Sequence, residues 1–93
     1  MFEHEKGRFY MNDENGQMQA EIIYKYVNDH IAATHTFVDP KLRGQGLAQK
    51  LVDEVVQLAR EEKKKIDPVC PYVLRLFEQG EQYKDVFLKP KRK

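Results

Sequence analysis

The run Arg43-Gly44-Gln45-Gly46-Leu47-Ala48 places an arginine and two glycines directly before a segment of helical period. A helix start leaves its first backbone N–H groups unpaired, and the helix dipole makes that end positive. Glycines there remove the side chains that would hold a bulky anion away from those donors, and Arg43 adds a charge with a fork of donors. A phosphate cradle and a ligand-free strand-to-helix turn both fit this spacing. The run lacks the Lys-Ser/Thr of a nucleotide P-loop and the third glycine of a dinucleotide fingerprint, so those two ligands fall behind. Two more residues carry chemistry. Cys70, the single cysteine, precedes Pro71 at the opening of a second helical segment, where a thiol can act as a nucleophile. A packed small hydrophobe is the commoner fate of such a residue. His35 lies in a strand-like run between two threonines, as a candidate base or as a cross-strand hydrogen-bonding residue.

The elements that must position these residues follow from periodicity. Arg8 to Met11 reads as a short strand, and Asn15-Gly16 as a tight reversal that tolerates positive φ. From Met18 to Val27 the residues Met18, Ala20, Ile22, Tyr24 and Tyr26 fall on one face, the pattern of a half-buried antiparallel strand. A turn at Val27 to His30 leads to a third strand, Ile31 to Val38, which Asp39-Pro40 ends. Leu47, Ala48, Leu51, Val52, Val55, Leu58 and Ala59 then recur at three- and four-residue steps, which predicts an amphipathic helix to about Lys64. Ile66 to Cys70 reads as a fourth strand, and Pro71 opens a short helix that Gly80 ends. Tyr83 to Phe87 is expected to pack the tail back on the body. The predicted order is βββαβα, an α/β (α+β) domain with a mixed sheet of about four strands and two helices.

Ninety-three residues make one domain, with a core of about 8–88 and a basic tail at 89–93. Sixteen basic residues against fifteen acidic ones give a net charge of +1, so no global field draws the chain to nucleic acid or membrane. Lys63-Lys64-Lys65 and the tail from Lys89 to Lys93 are explained most simply as a solvated helix end and a frayed terminus. No apolar run spans 18 residues and no signal-peptide pattern is present, so a soluble, cytoplasmic chain is expected. One cysteine excludes an internal disulfide and a cysteine-based zinc site, and no metal is expected.

The stretch from Val38 to Val56 resembles the acyl-CoA signature of the GNAT acetyltransferase superfamily, Q/R-x-x-G-x-G/A, supplied here from Arg43 to Ala48. The strand before it, the helix after it, and the next strand and helix follow the same order, so the resemblance covers most of residues 8–88 and is nearest to the very small stand-alone members. It implies a minimal acyl-CoA N-acyltransferase fold and an enzyme that transfers acetyl from acetyl-CoA to an amine. It further implies that Arg43, Gly44, Gln45, Gly46, Leu47 and Ala48 bind the coenzyme A pyrophosphate, and that Phe37 and Val38 pair with the pantetheine arm. Many members carry N-x-x-A-x-x-L-Y-E in the last helix, where the Tyr protonates the leaving sulfur. Laid on this chain, the acid position is Phe77, which has no hydroxyl, and the Asn position is Cys70. Cys70 is thereby placed near the thioester, as acyl acceptor or pocket lining, with His35 as candidate base and Tyr72 or Tyr83 as substitutes for the acid. A coenzyme A-binding or sensing module with little transfer, and a nucleic-acid or protein interaction module using the basic tail, are the alternatives. The acceptor amine and the oligomeric state are left open.

Overall fold

Positive-φ turns and alternating apolar residues lay down an antiparallel meander before the chain becomes helical. A computed structural model describes residues 2–89. Its strands are β1 (Glu3–Glu5), β2 (Arg8–Asn12), β3 (Met18–Val27), β4 (His30–Val38) and β5 (Ile66–Pro68). They form a single sheet in the order β1-β2-β3-β4-β5, in which only β4 and β5 run parallel. Helix α1 (Leu47–Glu62) joins β4 to β5, and α2 (Pro71–Gln79) follows β5.

The β2–β3 hairpin forms where the sequence predicts it. Gly16 takes φ 83°, and the Asp13 carboxylate accepts from the N–H groups of Asn15 and Gln17 at 2.8 and 2.9 Å. The sheet has five strands rather than about four. The added strand, β1, is short, charged and exposed, so no apolar period announces it. It exists because Gly7, at φ 94°, turns the chain back on β2. Gly7 accepts from the Tyr24 N–H at 2.9 Å, and a Cβ there would lie 3.3 Å from the Tyr24 carbonyl oxygen. His4 then stacks on Phe9 and its Nε2 meets the Tyr24 hydroxyl at 2.6 Å.

One face of the sheet carries the core. Phe9, Ala20, Ile22, Tyr24, Ile31 and Ala33 meet Leu51, Val52, Val55, Val56 and Ala59 of α1. Val73 and Phe77 of α2 close the same core. On the other face Arg8, Tyr10, Glu21, Ile23, Lys25, His35 and Phe37 are not buried. The last described segment ties the layers together. Phe77 stacks on Tyr83 at 5.0 Å between ring centroids, and the buried Tyr83 donates to Asp53 of α1 at 2.8 Å. Arg60 of α1 holds the Asp85 carboxylate at 2.9 and 3.0 Å. Ile66 donates to the Val86 carbonyl and Leu88 to the Ile66 carbonyl, so 86–88 covers the far edge of β5.

Strand β5 stops at Pro68, two residues before the predicted end at Cys70. Proline has no N–H to continue a ladder, and Val69 turns its own N–H back to the Asp67 carbonyl at 3.0 Å. That early stop shapes the site.

Candidate functional site

Strands β4 and β5 pair only over Ile31–Ala33 and Ile66–Pro68, and the last bond between the two segments is the Cys70 N–H to the Ala33 carbonyl at 2.9 Å. From Thr34 to Val38, β4 has no strand beside it on that side among the described residues. The parting coincides with a bulge. Ile23 faces His35 but Tyr24 faces Ala33, so Thr34 is an extra residue in β4. The bulge resets the alternation. Thr36 and Val38 now share the core face with Ile22 and Ala20, whereas His35 and Phe37 sit on the other face with Ile23 and Glu21.

Backbone directions follow from the same register. Asp39 gives its N–H to Gln19 at 2.8 Å, so along the extended strand Phe37 aims its N–H and C=O at β3, and Thr36 and Val38 aim theirs at the open side. The Val38 carbonyl accepts from Arg43 Nε at 3.2 Å. Thr36 thus joins Val38 as a strand-edge position that sequence reasoning did not single out. A strand edge is visible only once both neighbours are known.

Beyond Val38 the chain bends through one 3-10 turn, Pro40–Leu42, capped by the Asp39 carboxylate, which accepts from the Lys41 N–H at 2.9 Å. Gly44 and Gly46 follow at φ 88° and 78°. A Cβ at either would meet nothing within 4 Å, so conformation and not crowding demands glycine, and the space above the turn stays open. Gly46 is the N-cap of α1 and offers no side chain to the first-turn N–H groups, which leaves those donors for an anion. The cleft over this turn, about 320 Å³, is lined by Val38, Leu42, Arg43, Gly44, Gly46, Leu47, Ala48 and Tyr72. Phe37, Gln45 and Cys70 do not line it. Leu42 is an addition to the expected set, and Tyr72, named from the sequence as a substitute acid, stands here as a partly exposed wall of the cleft. Burial first, then the charges of Asp53 and Cys70, push the Tyr72 phenol above its ordinary pKa, so it keeps its proton at neutral pH.

Cys70 is buried at the N-cap of α2, with Sγ 3.3 Å from the Thr36 hydroxyl. His35 is exposed on the opposite face of the sheet, so the two candidate catalytic residues flank the parting without touching. Phe77 is buried, stacked on Tyr83 and edge-on to Phe87. The Tyr83 hydroxyl is engaged by Asp53 and Gln49. Among the described residues no cluster of His, Cys, Asp and Glu could hold a metal ion, and no helix is long and apolar enough to cross a membrane. Residues 90–93 of the basic tail lie outside the described residues.

A mixed sheet that parts beside a glycine-capped helix start matches a known architecture. Residues 8–86 match the family model described as GCN5-related N-acetyl-transferase. The chain belongs to that family. The solution structure of a GCN5-like protein from Staphylococcus aureus superposes with a TM-score of 0.83 at 34% identity, covering 99% of this chain and 91% of that one. The ribosomal-protein-alanine N-acetyltransferase from Brucella melitensis (TM-score 0.62, 18% identity) covers 92% of this chain and 65% of its own. The ribosomal-protein-S18-alanine N-acetyltransferase from Escherichia coli (TM-score 0.60, 22% identity) covers 82% of this chain and 52% of its own. These last two share the fold over little more than half to two-thirds of their length. No match was found among curated protein sequences.

Proposed function

We infer that the protein is an acetyl-CoA-dependent N-acyltransferase that moves an acetyl group from the coenzyme A thioester to an amine. The observation that carries this reading is the parting of β4 from β5 after Ala33, beside an α1 start whose N–H groups have no side-chain cap. The open turn fits a pyrophosphate, since a Cβ at Gly44 or Gly46 would touch nothing within 4 Å. Arg43, Gly44, Gly46, Leu47 and Ala48 hold the diphosphate, Leu42 and Tyr72 wall it, and the backbone of Thr36 and Val38, rather than that of Phe37, takes the pantetheine amides. The bound thioester supplies an activated acyl carbon.

Around it the chain's own residues divide the work. His35, on the open face, takes the proton from the incoming ammonium, so that the neutral amine attacks from that side of the parting. Cys70 lies on the core face. Its thiol exchanges with the thioester, forming an acetyl–sulfur bond as the bond to coenzyme A breaks, with the proton passing to the released thiol. The neutral amine then attacks the acetyl carbon, the acetyl–sulfur bond to Cys70 breaks as the C–N bond forms, and the released Cys70 thiolate takes the second proton of the amine. Phe77 cannot donate a proton, which makes this two-step route the better match to the residues present.

The test is a thermal-shift series with coenzyme A, acetyl-CoA, NAD and ATP. A ligand held only by the folded state at about 100 times its Kd adds about 2.7 kcal/mol. In a domain of this size that raises Tm by more than about ten degrees. Coenzyme A and acetyl-CoA are expected to do so, and an equal rise with NAD or ATP would overturn the assignment.

A further inference from the structure

After the bulge, the core face of β4 continues from Ile31 and Ala33 to Thr36 and Val38. Thr36, which is half-buried, is the polar member of that row. Valine forms strands equally well and would pack against apolar neighbours without a hydroxyl to satisfy. The hydroxyl is therefore explained by what it meets. Thr34 turns its own hydroxyl to the Ile23 carbonyl at 3.4 Å, whereas the Thr36 hydroxyl meets the Cys70 sulfur at 3.3 Å. That sulfur is not committed elsewhere. It makes no capping bond to α2, although Cys70 is the N-cap, and among the described residues Thr36 is the one side chain hydrogen-bonded to it. Thr36 also aims its backbone N–H and C=O at the open side of β4, so hydroxyl and backbone belong to the two partners of the exchange, thiol and acyl arm.

We propose that Thr36 is the proton relay between the Cys70 thiol and the leaving sulfur of coenzyme A. The inference rests on the two-step route above and names the group that moves its proton, since Phe77 has no hydroxyl to give. As the Cys70 sulfur bonds to the acyl carbon, its S–H proton passes to the Thr36 oxygen. The proton that Thr36 already carried passes to the sulfur of coenzyme A as the old carbon–sulfur bond breaks. Thr36 ends as it began, one acetyl–sulfur bond has replaced another, and no charge is left over. In the second step the same hydroxyl donates to the Cys70 sulfur as the amine displaces it, when negative charge gathers there. Serine at this position keeps the relay. Valine keeps the shape and loses it.

The experiment is single-turnover acetylation of the full chain by acetyl-CoA without acceptor, followed by intact mass, in the native protein, Thr36→Val and Thr36→Ser. A positioned proton-transfer group contributes about 10²–10⁴-fold, so Thr36→Val is expected to lower the limiting rate of adduct formation by at least about a hundredfold. The acetyl-CoA concentration giving half that rate, and the rise of Tm with coenzyme A, should stay at their native values, because the backbone that holds the arm is untouched. Thr36→Ser should recover most of the rate. A packing role alone predicts the reverse order, with valine harmless and serine, which lacks the methyl group, the slower of the two. If Thr36→Val does not fold, Thr36→Ala removes the same hydroxyl and is compared with Thr36→Ser. A native adduct that forms equally fast in the valine or alanine variant, or a serine variant as slow as either, would overturn the relay while leaving the thiol route intact. No adduct in the native chain would overturn that route and the relay with it.

Discussion

Gly46 offers the sharpest separation of stability from ligand binding. It sits at φ 78° and a Cβ there would have nothing within 4 Å, so a side chain is opposed by backbone conformation alone. Moving an L-residue into that region costs about 1–2 kcal/mol. For a domain of this size each kcal/mol is worth about 4–8 °C of Tm, so Gly46→Ala should melt about 4–16 °C lower. Its small methyl points into open space and leaves the N–H donors reachable. Gly46→Glu bears the same backbone cost and adds a carboxylate to the anion cleft. Two like charges about 5 Å apart at an effective dielectric of about 20 repel by about 3 kcal/mol, more than a hundredfold in Kd. Coenzyme A at a concentration that stabilises the native chain by about 2.7 kcal/mol would then add only about 0.4 kcal/mol. Differential scanning fluorimetry with and without coenzyme A reads both quantities. Matching Tm losses in the two variants, with the ligand-induced rise kept by Ala and lost by Glu, is the expected result. A Glu variant that keeps the full rise would show that the pyrophosphate is held elsewhere.

Two further expectations concern the thiol and the aromatic seam. Incubation with acetyl-CoA alone should leave a hydroxylamine-sensitive acetyl mass on the Cys70 peptide, absent in Cys70→Ser, and coenzyme A should slow alkylation of the thiol by iodoacetamide; no adduct and no protection would return Cys70 to a packing role. Tyr83→Phe removes the bond to Asp53 and the longer one from Gln49, at a cost of about 1 kcal/mol or more, so Tm should fall by at least about 4–8 °C while the coenzyme A shift is retained.

Much of the molecule is legible without coordinates, because local rules govern it. The apolar stripe of α1, the Asn15-Gly16 hairpin, the Gly44 and Gly46 turn, and α2 between Pro71 and Gly80 each depend on a few neighbouring residues, and each forms where the residue types place it. The strand β1 was hidden because its existence rests on pairing with β2 rather than on its own charged residues.

The candidate site shows the same division at the scale of one residue. Unbroken alternation from Ile31 and Ala33 would set His35 on the core face, and Thr36 away from Cys70. The extra residue at Thr34 reverses both, putting Thr36 3.3 Å from the Cys70 sulfur and His35 on the open face. Residue types determined that a thiol, an imidazole and a glycine-capped helix start would be present. Only the pairing of β3 with β4, and the parting of β4 from β5, decided which of them share a side, because a bulge is a property of two strands and is written in neither alone.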